Sequence, residues 1–351
     1  MLIYTYCRNS LECHIPTKCF VNSITFNLLM NFSFEKYILQ VTEATAAVEI
    51  EIIQFLWSGY GRISRYQLDN ASSDTVVVKC ISHNESNDHP RGWNTTYSHN
   101  RKIESYKVET HWYEKWSAKC SSHCRVPKMI GSYSEGHDQW IIMEDLNTFF
   151  PLRKYELQLS EIKVCLKWLA NFHNTFLCSD PIGLWEVGTY WNLGTRPDEF
   201  EKIEHQELKE KAHLIDKTLN QSKYQTIVHG DAKLANFCFS EDGDNVAAVD
   251  FQYVGGGCGM KDVQYFLGSC LTSHESEQYE GQLLDFYFLE LERHFDTDQY
   301  DFEFKDLEEE WRKMYPIACA DFTRFLLGWM PSHQKVNKYN LRMMKTVLGE
   351  L

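Results

Sequence analysis

The chain has 351 residues, a formal net charge of −14 and an aromatic content of 14%. So acidic a surface speaks against nucleic acid as substrate, because that binding rests on basic surfaces. No apolar run approaches the ~20 residues of a membrane-crossing helix, and the length allows a sizeable core. The twelve cysteines are scattered, mostly in apolar segments such as Val164-Cys165-Leu166 and Phe237-Cys238-Phe239. That is the usage of reduced, buried thiols, and it points to the cytoplasm. Cys120-Ser-Ser-His-Cys124 has half the spacing of a zinc site, but no matching pair stands elsewhere. In a cytoplasmic protein Asn94-Thr-Thr96 is a chance glycosylation sequon.

Residues 1–29 carry Cys7, Cys13 and Cys19 and show no clear periodicity. They lack the basic start, compact apolar core and small-residue cleavage site of a secretory signal. They are read as an arm with no assigned role. In residues 57–68, Gly59-x-Gly61-x-x-Ser64 has the form of a degraded glycine loop, whose backbone N–H groups suit phosphates. An ordinary hairpin turn is the alternative. Residues 75–81 are a β-branched run containing Lys79, which is unfavourable inside a strand unless partnered or on an edge facing water. The polar stretch 83–93 reads as an inserted loop. Residues 103–116 read as a helix with an apolar stripe through Val108, Trp112 and Trp116. An apolar strand ending in acidic residues follows at 139–146.

Residues 161–176 place Ile162, Cys165, Leu166, Leu169 and Phe172 on one helical face, with His173 expected as a satisfied core histidine. Residues 184–197 form a glycine-bearing loop with Trp185, Tyr190 and Trp191. These rings have the chemistry to cage an ammonium or stack on a sugar, or to pack the loop down. Residues 201–219 read as a charged surface helix.

The densest signal comes next. Ile227-Val-His-Gly-Asp-Ala-Lys-Leu-Ala-Asn236 and Val249-Asp-Phe-Gln252 set His229, Asp231, Asn236 and Asp250 around two short apolar runs. Phosphoryl transfer needs positioning and charge neutralisation more than covalent help. An Asp that orients a hydroxyl proton and a metal-binding Asn therefore belong on one rigid loop, and Asp231 and Asn236 have that spacing. Residues 237–239 read as a strand, 241–245 as a polar turn with Gly243, and 246–249 as the returning strand. This hairpin brings Asp250 back beside Asn236 as a second metal ligand. Taken singly, His-Gly-Asp and Val-Asp-Phe are ordinary turn and core fragments. Joined by the hairpin, they point to a catalytic centre.

The block His229-Gly-Asp-Ala-Lys-Leu-Ala-Asn236 with Asp250-Phe-Gln252 resembles the aminoglycoside phosphotransferase and choline kinase superfamily. The look is nearest to its choline-kinase-like and ecdysteroid-kinase-like small-molecule kinases. The resemblance implies an α+β, bilobal protein-kinase-like fold, with a small β-rich lobe over 30–145 and a larger helical lobe over 146–351. It implies ATP and Mg2+ as cofactors, with Asp231 as base, Asn236 and Asp250 as metal ligands, and His229 as a brace of the catalytic loop. Gly59 and Gly61 then approach the phosphates, and Lys79 contacts them from its strand. Glu109 is the expected carboxylate partner of Lys79, Glu104 the second choice and Glu114 a solvated one. Met143 lies near the adenine, with backbone groups around Glu144 and Leu146 on the base edge. Asp262 braces the catalytic loop.

Only residues 251–261 separate Asp250 from Asp262, including Gly255-Gly-Gly-Cys-Gly259. Protein kinases place a longer activation segment there, so a small-molecule acceptor is expected. In residues 310–329, Trp311, Tyr315, Phe322, Phe325 and Trp329 recur near helical spacing and read as core. Asp321 either binds the acceptor or pairs with Arg324. The expected activity is phosphorylation of a hydroxyl on a choline-like amino alcohol, a sugar or a related alcohol. An aminoglycoside kinase and a catalytically silent nucleotide-binding protein are the alternatives. Neither a nucleic-acid nor a membrane partner is expected, and no protein partner can be read.

Overall fold

The computed structural model describes residues 32–56, 59–82 and 96–351. The arm over 1–29, the loop over 83–93 and Asn94 of the sequon lie outside the described residues. The chain divides into two compact units. One takes the residues up to Ser98 with Lys128–Asp145, and the other takes His99–Pro127 with Leu146–Leu351.

The first unit is a helix on a sheet. Helix α1 (Phe32–Thr42) precedes strands β1 (Ala46–Phe55), β2 (Gly61–Asp69) and β3 (Thr75–Ser82). Strands β4 (Met129–Glu135) and β5 (Asp138–Glu144) complete an antiparallel sheet of order β1-β2-β3-β5-β4. The Val/Ile-rich sequence of β3 suits its central place. Successive side chains of a strand alternate between faces. Val76, Val78 and Cys80 join Phe34, Ile38, Trp140 and Ile142 in one core, where Phe34 stacks on Trp140 with centroids 5.0 Å apart. Val77, Lys79 and Ile81 take the other face. Directly opposed residues of an antiparallel pair share a face. Ile63 and Ile141, opposite Lys79, and Met143, opposite Val77, are therefore on that face too. The buried Asp145 carboxylate joins strand ends, accepting from Arg65 Nε at 2.5 Å and Thr75 Oγ1 at 2.8 Å.

The second unit is mostly helical. Helix α2 (Thr96–His111) runs into a widened turn, Trp112–Trp116, so the helix expected over 103–116 changes pitch near its end. Trp112 stacks on Phe251 at 4.6 Å and tilts against Phe172 and Phe176 at 5.6 and 5.4 Å. The Trp116 indole donates to the carbonyl of Ile182 at 3.2 Å. These rings are why residues 99–127 pack with the later residues, whereas the sequence boundary placed them in a lobe over 30–145. Trp112→Ala is expected to cost about 3–5 kcal/mol, the usual penalty for emptying a large aromatic site. Denaturant unfolding checks this, and a loss below about 1 kcal/mol would show that Trp112 is dispensable.

Helix α3 (Leu159–Thr175) buries Ile162, Cys165, Leu166, Leu169 and Phe172, as the spacing predicts. The charged helix expected over 201–219 is α4 (Gln206–Asn220). It is amphipathic, with Leu208, Ala212, Ile215 and Leu219 in the core. Strand β6 (Thr226–Val228) and hairpin strands β7 (Phe237–Phe239) and β8 (Val246–Ala248) flank the loop of interest. The glycine run forms β9 (Gly255–Gly257), antiparallel to β6. A Cβ at Gly255 would stand 2.2 Å from the carbonyl oxygen of Trp185, so only glycine admits that strand beneath the 185–188 segment. Helices α5 (Met260–Cys270), α6 (Ser273–Glu292), α7 (Phe304–Trp329) and α8 (Lys338–Glu350) complete the unit. Among the described residues no helix is long and apolar enough to cross a membrane.

Candidate active site

The loop after β6 begins with a bend only glycine can make. Gly230 has φ +77°, and a Cβ there would lie 2.0 Å from the Tyr253 carbonyl oxygen. Asp262, in the first turn of α5, holds this bend. Its carboxylate accepts from the backbone N–H of His229 at 2.5 Å and of Gly230 at 2.9 Å. His173 Nε2 lies 3.2 Å from the same carboxylate, while its Nδ1 meets the Tyr287 hydroxyl at 2.8 Å. Asp262 and His173 are both fully buried. The brace and the satisfied core histidine are thus parts of one network.

His229 is fixed at both ring nitrogens. Nδ1 accepts from the backbone N–H of Asp231 at 3.2 Å, so the proton sits on Nε2, which reaches the Val249 carbonyl at 3.0 Å. Burial pushes its pKa below the usual 6.5, which keeps the ring neutral. The ring ties the loop to the end of β8.

Asp231 is 6% exposed, and three side chains orient its carboxylate. Oδ1 accepts from the Tyr265 hydroxyl at 3.0 Å. Oδ2 accepts from Lys233 Nζ at 2.7 Å and Asn236 Nδ2 at 3.2 Å. Asn236 Nδ2 also donates to the Asp231 carbonyl at 2.8 Å. With its NH2 turned inward, the Asn236 amide oxygen accepts no hydrogen bond among the described residues. The β7–β8 hairpin forms as expected, and Val249 N–H donates to the Asn236 carbonyl at 3.0 Å. Asp250, one residue further, has φ +71°. A non-glycine residue in the left-handed region costs of order 1–3 kcal/mol and tends to occur at functional sites.

The Asp-Phe-Gln segment is anchored to α2. Gln252 donates to Asp250 Oδ1 at 2.7 Å, and its own oxygen accepts from Lys102 at 2.7 Å and Ser105 at 3.3 Å. Phe251 is fully buried between His229 at 4.5 Å and Trp112. Glu109 on α2 is 1% exposed. Burial foremost, then the charges of Glu109 and Asp250, raises the pKa of Tyr113. Glu104 is exposed and pairs with Lys107 at 3.5 Å, and Glu114 is exposed too.

The first unit holds the other expected residues. Lys79 is 2% exposed on the Met143 face of the sheet. Leu56 N–H donates to the Gly61 carbonyl at 2.8 Å, and Gly59 N–H donates to the Leu56 carbonyl at 3.3 Å. Glu144 N–H donates to the Lys128 carbonyl at 2.9 Å. In the second unit the Leu146 carbonyl accepts from Phe149 and Phe150 at 3.0 and 2.7 Å. Of the backbone groups expected on a base edge, these two bond within the protein.

The aromatic loop divides in two. Trp185 is half-buried; its indole donates to the Gln252 carbonyl at 2.8 Å and its ring stacks on Tyr253 at 6.2 Å. The Tyr190 hydroxyl lies 3.3 Å from that of Tyr265. Because Tyr265 gives its proton to Asp231, Tyr190 donates to Tyr265. Trp191 and Asp321 instead close on each other. The Trp191 indole donates to Asp321 Oδ2 at 3.0 Å, and Arg324 bonds both Asp321 Oδ1 and the Trp191 carbonyl, at 3.0 and 2.9 Å. Asp321 thus has the Arg324 pairing weighed in the sequence. Lys233 and Tyr265 were passed over there. The first stands two residues after Asp231, and the second three after Asp262, one helical turn along.

Residues 187–300 match the Ecdysteroid kinase-like family. The resemblance is to small-molecule kinases. The matched span contains His229, Asp231, Asn236, Asp250 and Asp262. No curated protein sequence matches the chain. Among solved structures, a microcompartment-associated aminopropanol kinase is similar at 15% identity over 91% of this chain and 95% of that one, with TM-score 0.49. A Plasmodium vivax ethanolamine kinase is similar at 12% identity over 96% and 95%, with TM-score 0.48. An aminoglycoside-3'-phosphotransferase of type VIII is similar at 14% identity over 76% and 93%, with TM-score 0.41. The antiparallel sheet followed by a helical unit is the α+β arrangement that the sequence resemblance implied.

Proposed function

We propose that the chain is an ATP-dependent kinase that phosphorylates a hydroxyl group of a small molecule. One observation carries this: Asp231, Asn236 and Asp250 converge on one hairpin-braced loop, with Asp231 fixed by three side chains. Asp231 is the base that accepts the acceptor hydroxyl's proton. Lys233 pairs with its carboxylate, and the Tyr265 hydrogen bond fixes its plane. The inward-turned amide of Asn236 and the carboxylate of Asp250 are the hard oxygen donors that suit Mg2+. No cluster of three or more His, Cys, Asp or Glu among the described residues is built to hold a metal alone. Remaining ligands would therefore come from phosphate and water, the usual manner for this ion. When bound, Mg2+ neutralises phosphate charge and the nucleotide supplies the phosphoryl group.

On this reading the first unit serves the nucleotide, through Lys79, Met143, Gly59 and Gly61. Residues 251–261 form β9 and lead directly into α5. They have no room for a peptide-holding activation segment, which favours a small acceptor. Free thiols at the described cysteines fit a reducing, cytoplasmic setting.

The test is nucleotide turnover with Mg2+ against a panel of small alcohols. The wild type is expected to consume ATP and phosphorylate at least one, with Lys79→Met raising the KM for nucleotide. A folded protein that binds nucleotide but transfers to no acceptor would favour the silent alternative.

A further inference from the structure

Beside Asp231 stands a cation that the reaction above does not use. Lys335 lies in the 330–337 connection between α7 and α8, and its backbone is held on both sides. Its N–H donates to His333 Nδ1 at 3.1 Å, and its carbonyl accepts from Asn340 Nδ2 at 2.7 Å. The side chain is half-buried over rings. Nζ lies 4.7 Å from the Tyr265 centroid and 5.5 Å from that of Phe322. Tyr265 is the residue whose hydroxyl binds Asp231, so the ammonium stands on the floor of the acceptor side.

This ammonium has no hydrogen bond or ion pair among the described residues. The groups that act on it are Asp231, Lys233 and the Cys270 thiol. Tyr265, Lys233 and Asn236 already engage both oxygens of Asp231. Burial foremost, then the Lys233 charge, depresses the Lys335 pKa to about 8. It remains mostly protonated at neutral pH. A half-buried cation that lies over ring faces and has no hydrogen-bond partner among the described residues attracts an anion. The aromatic wall next to it has the same sign. Lys102, Arg196 and Arg101 act on the Tyr253 hydroxyl, and Tyr253 packs on Trp185 and Tyr190.

We propose that Lys335 makes the acceptor site selective for hydroxyl compounds bearing a carboxylate or phosphate, and sets it against amino alcohols. An ammonium-bearing acceptor would meet Lys335 and Lys233 as like charges. An acceptor with an anionic group would complete the missing ion pair. This rests on the phosphotransferase reading and narrows its acceptor.

Calorimetric binding to the full chain tests it, with glycerate, glycerol and 3-amino-1,2-propanediol as probes of matched size. The wild type is expected to bind glycerate about tenfold or more tighter than the aminodiol. Lys335→Met should bring the two within about threefold, and Lys335→Gln should do the same, with unchanged thermal midpoints. An aminodiol bound as tightly as glycerate, no binding of glycerate, or an unchanged order in both variants would overturn it. Because binding is read rather than turnover, failure of either idea is visible. Glycerate preference without ATP consumption defeats the kinase activity alone, and phosphorylation with amine preference defeats the Lys335 assignment alone.

Discussion

Asp231→Asn is expected to lower kcat for phosphoryl transfer by about 10²–10⁴-fold, the range for losing a general base, with the KM for nucleotide changed only a few-fold. The substitution keeps size and one acceptor oxygen for Tyr265, but it removes the group that takes the hydroxyl proton. The chain should stay folded, because Asp231 does not hold the backbone of its own loop. Asp262 does that, through the N–H groups of His229 and Gly230. Steady-state kinetics with circular dichroism checks both halves. A variant retaining a tenth or more of wild-type kcat would remove Asp231 from the chemistry.

Asp262→Ala is expected to have its largest effect on stability. It leaves two buried N–H groups and one face of His173 without an acceptor. Each unsatisfied buried group costs about 1–3 kcal/mol, so a loss of about 3–5 kcal/mol follows. Asp262→Asn should recover part of this, since an amide oxygen still accepts from one of the two N–H groups. Denaturant unfolding with a constant m-value measures the change. A loss under about 1 kcal/mol for the alanine variant would show that the brace is not needed. The two carboxylates separate chemistry from architecture: one variant folds without turning over, and the other loses the fold that makes turnover possible.

The geometry of the candidate loop was legible because its information is local. Asn236 and Asp250 flank one hairpin and Asp231 lies on the loop just before it, so strand alternation with a polar turn suffices to bring them together. The apolar stripe of α3 was legible for the same reason. What was missed depends on distant partners. Trp112 reads as part of any amphipathic helix until Phe251 and Phe176 are brought against it, so the boundary at 145 hid the place of residues 99–127. The Asp321–Arg324 pair was weighed in the sequence, but the approach of Trp191 from the 184–197 loop was not. Tyr265 reads as one more core aromatic, and only the approach of α5 to the loop turns its hydroxyl onto Asp231. Lys335 carries no sequence signal, because a lysine in a polar connection is ordinary until its ammonium is found over Tyr265.

The strained backbone at Asp250 and the inward amide of Asn236 support the proposed Mg2+ site, which would couple a divalent cation to nucleotide binding. The most direct measurement is calorimetric titration of a non-hydrolysable ATP analogue, with and without Mg2+, into wild type and Asp250→Asn. Wild-type affinity should rise by about tenfold or more with Mg2+, and the increment should vanish in the variant. Equal affinity with and without Mg2+ in the wild type, or an unchanged increment in Asp250→Asn, would contradict the assignment of this loop as a phosphoryl-transfer centre.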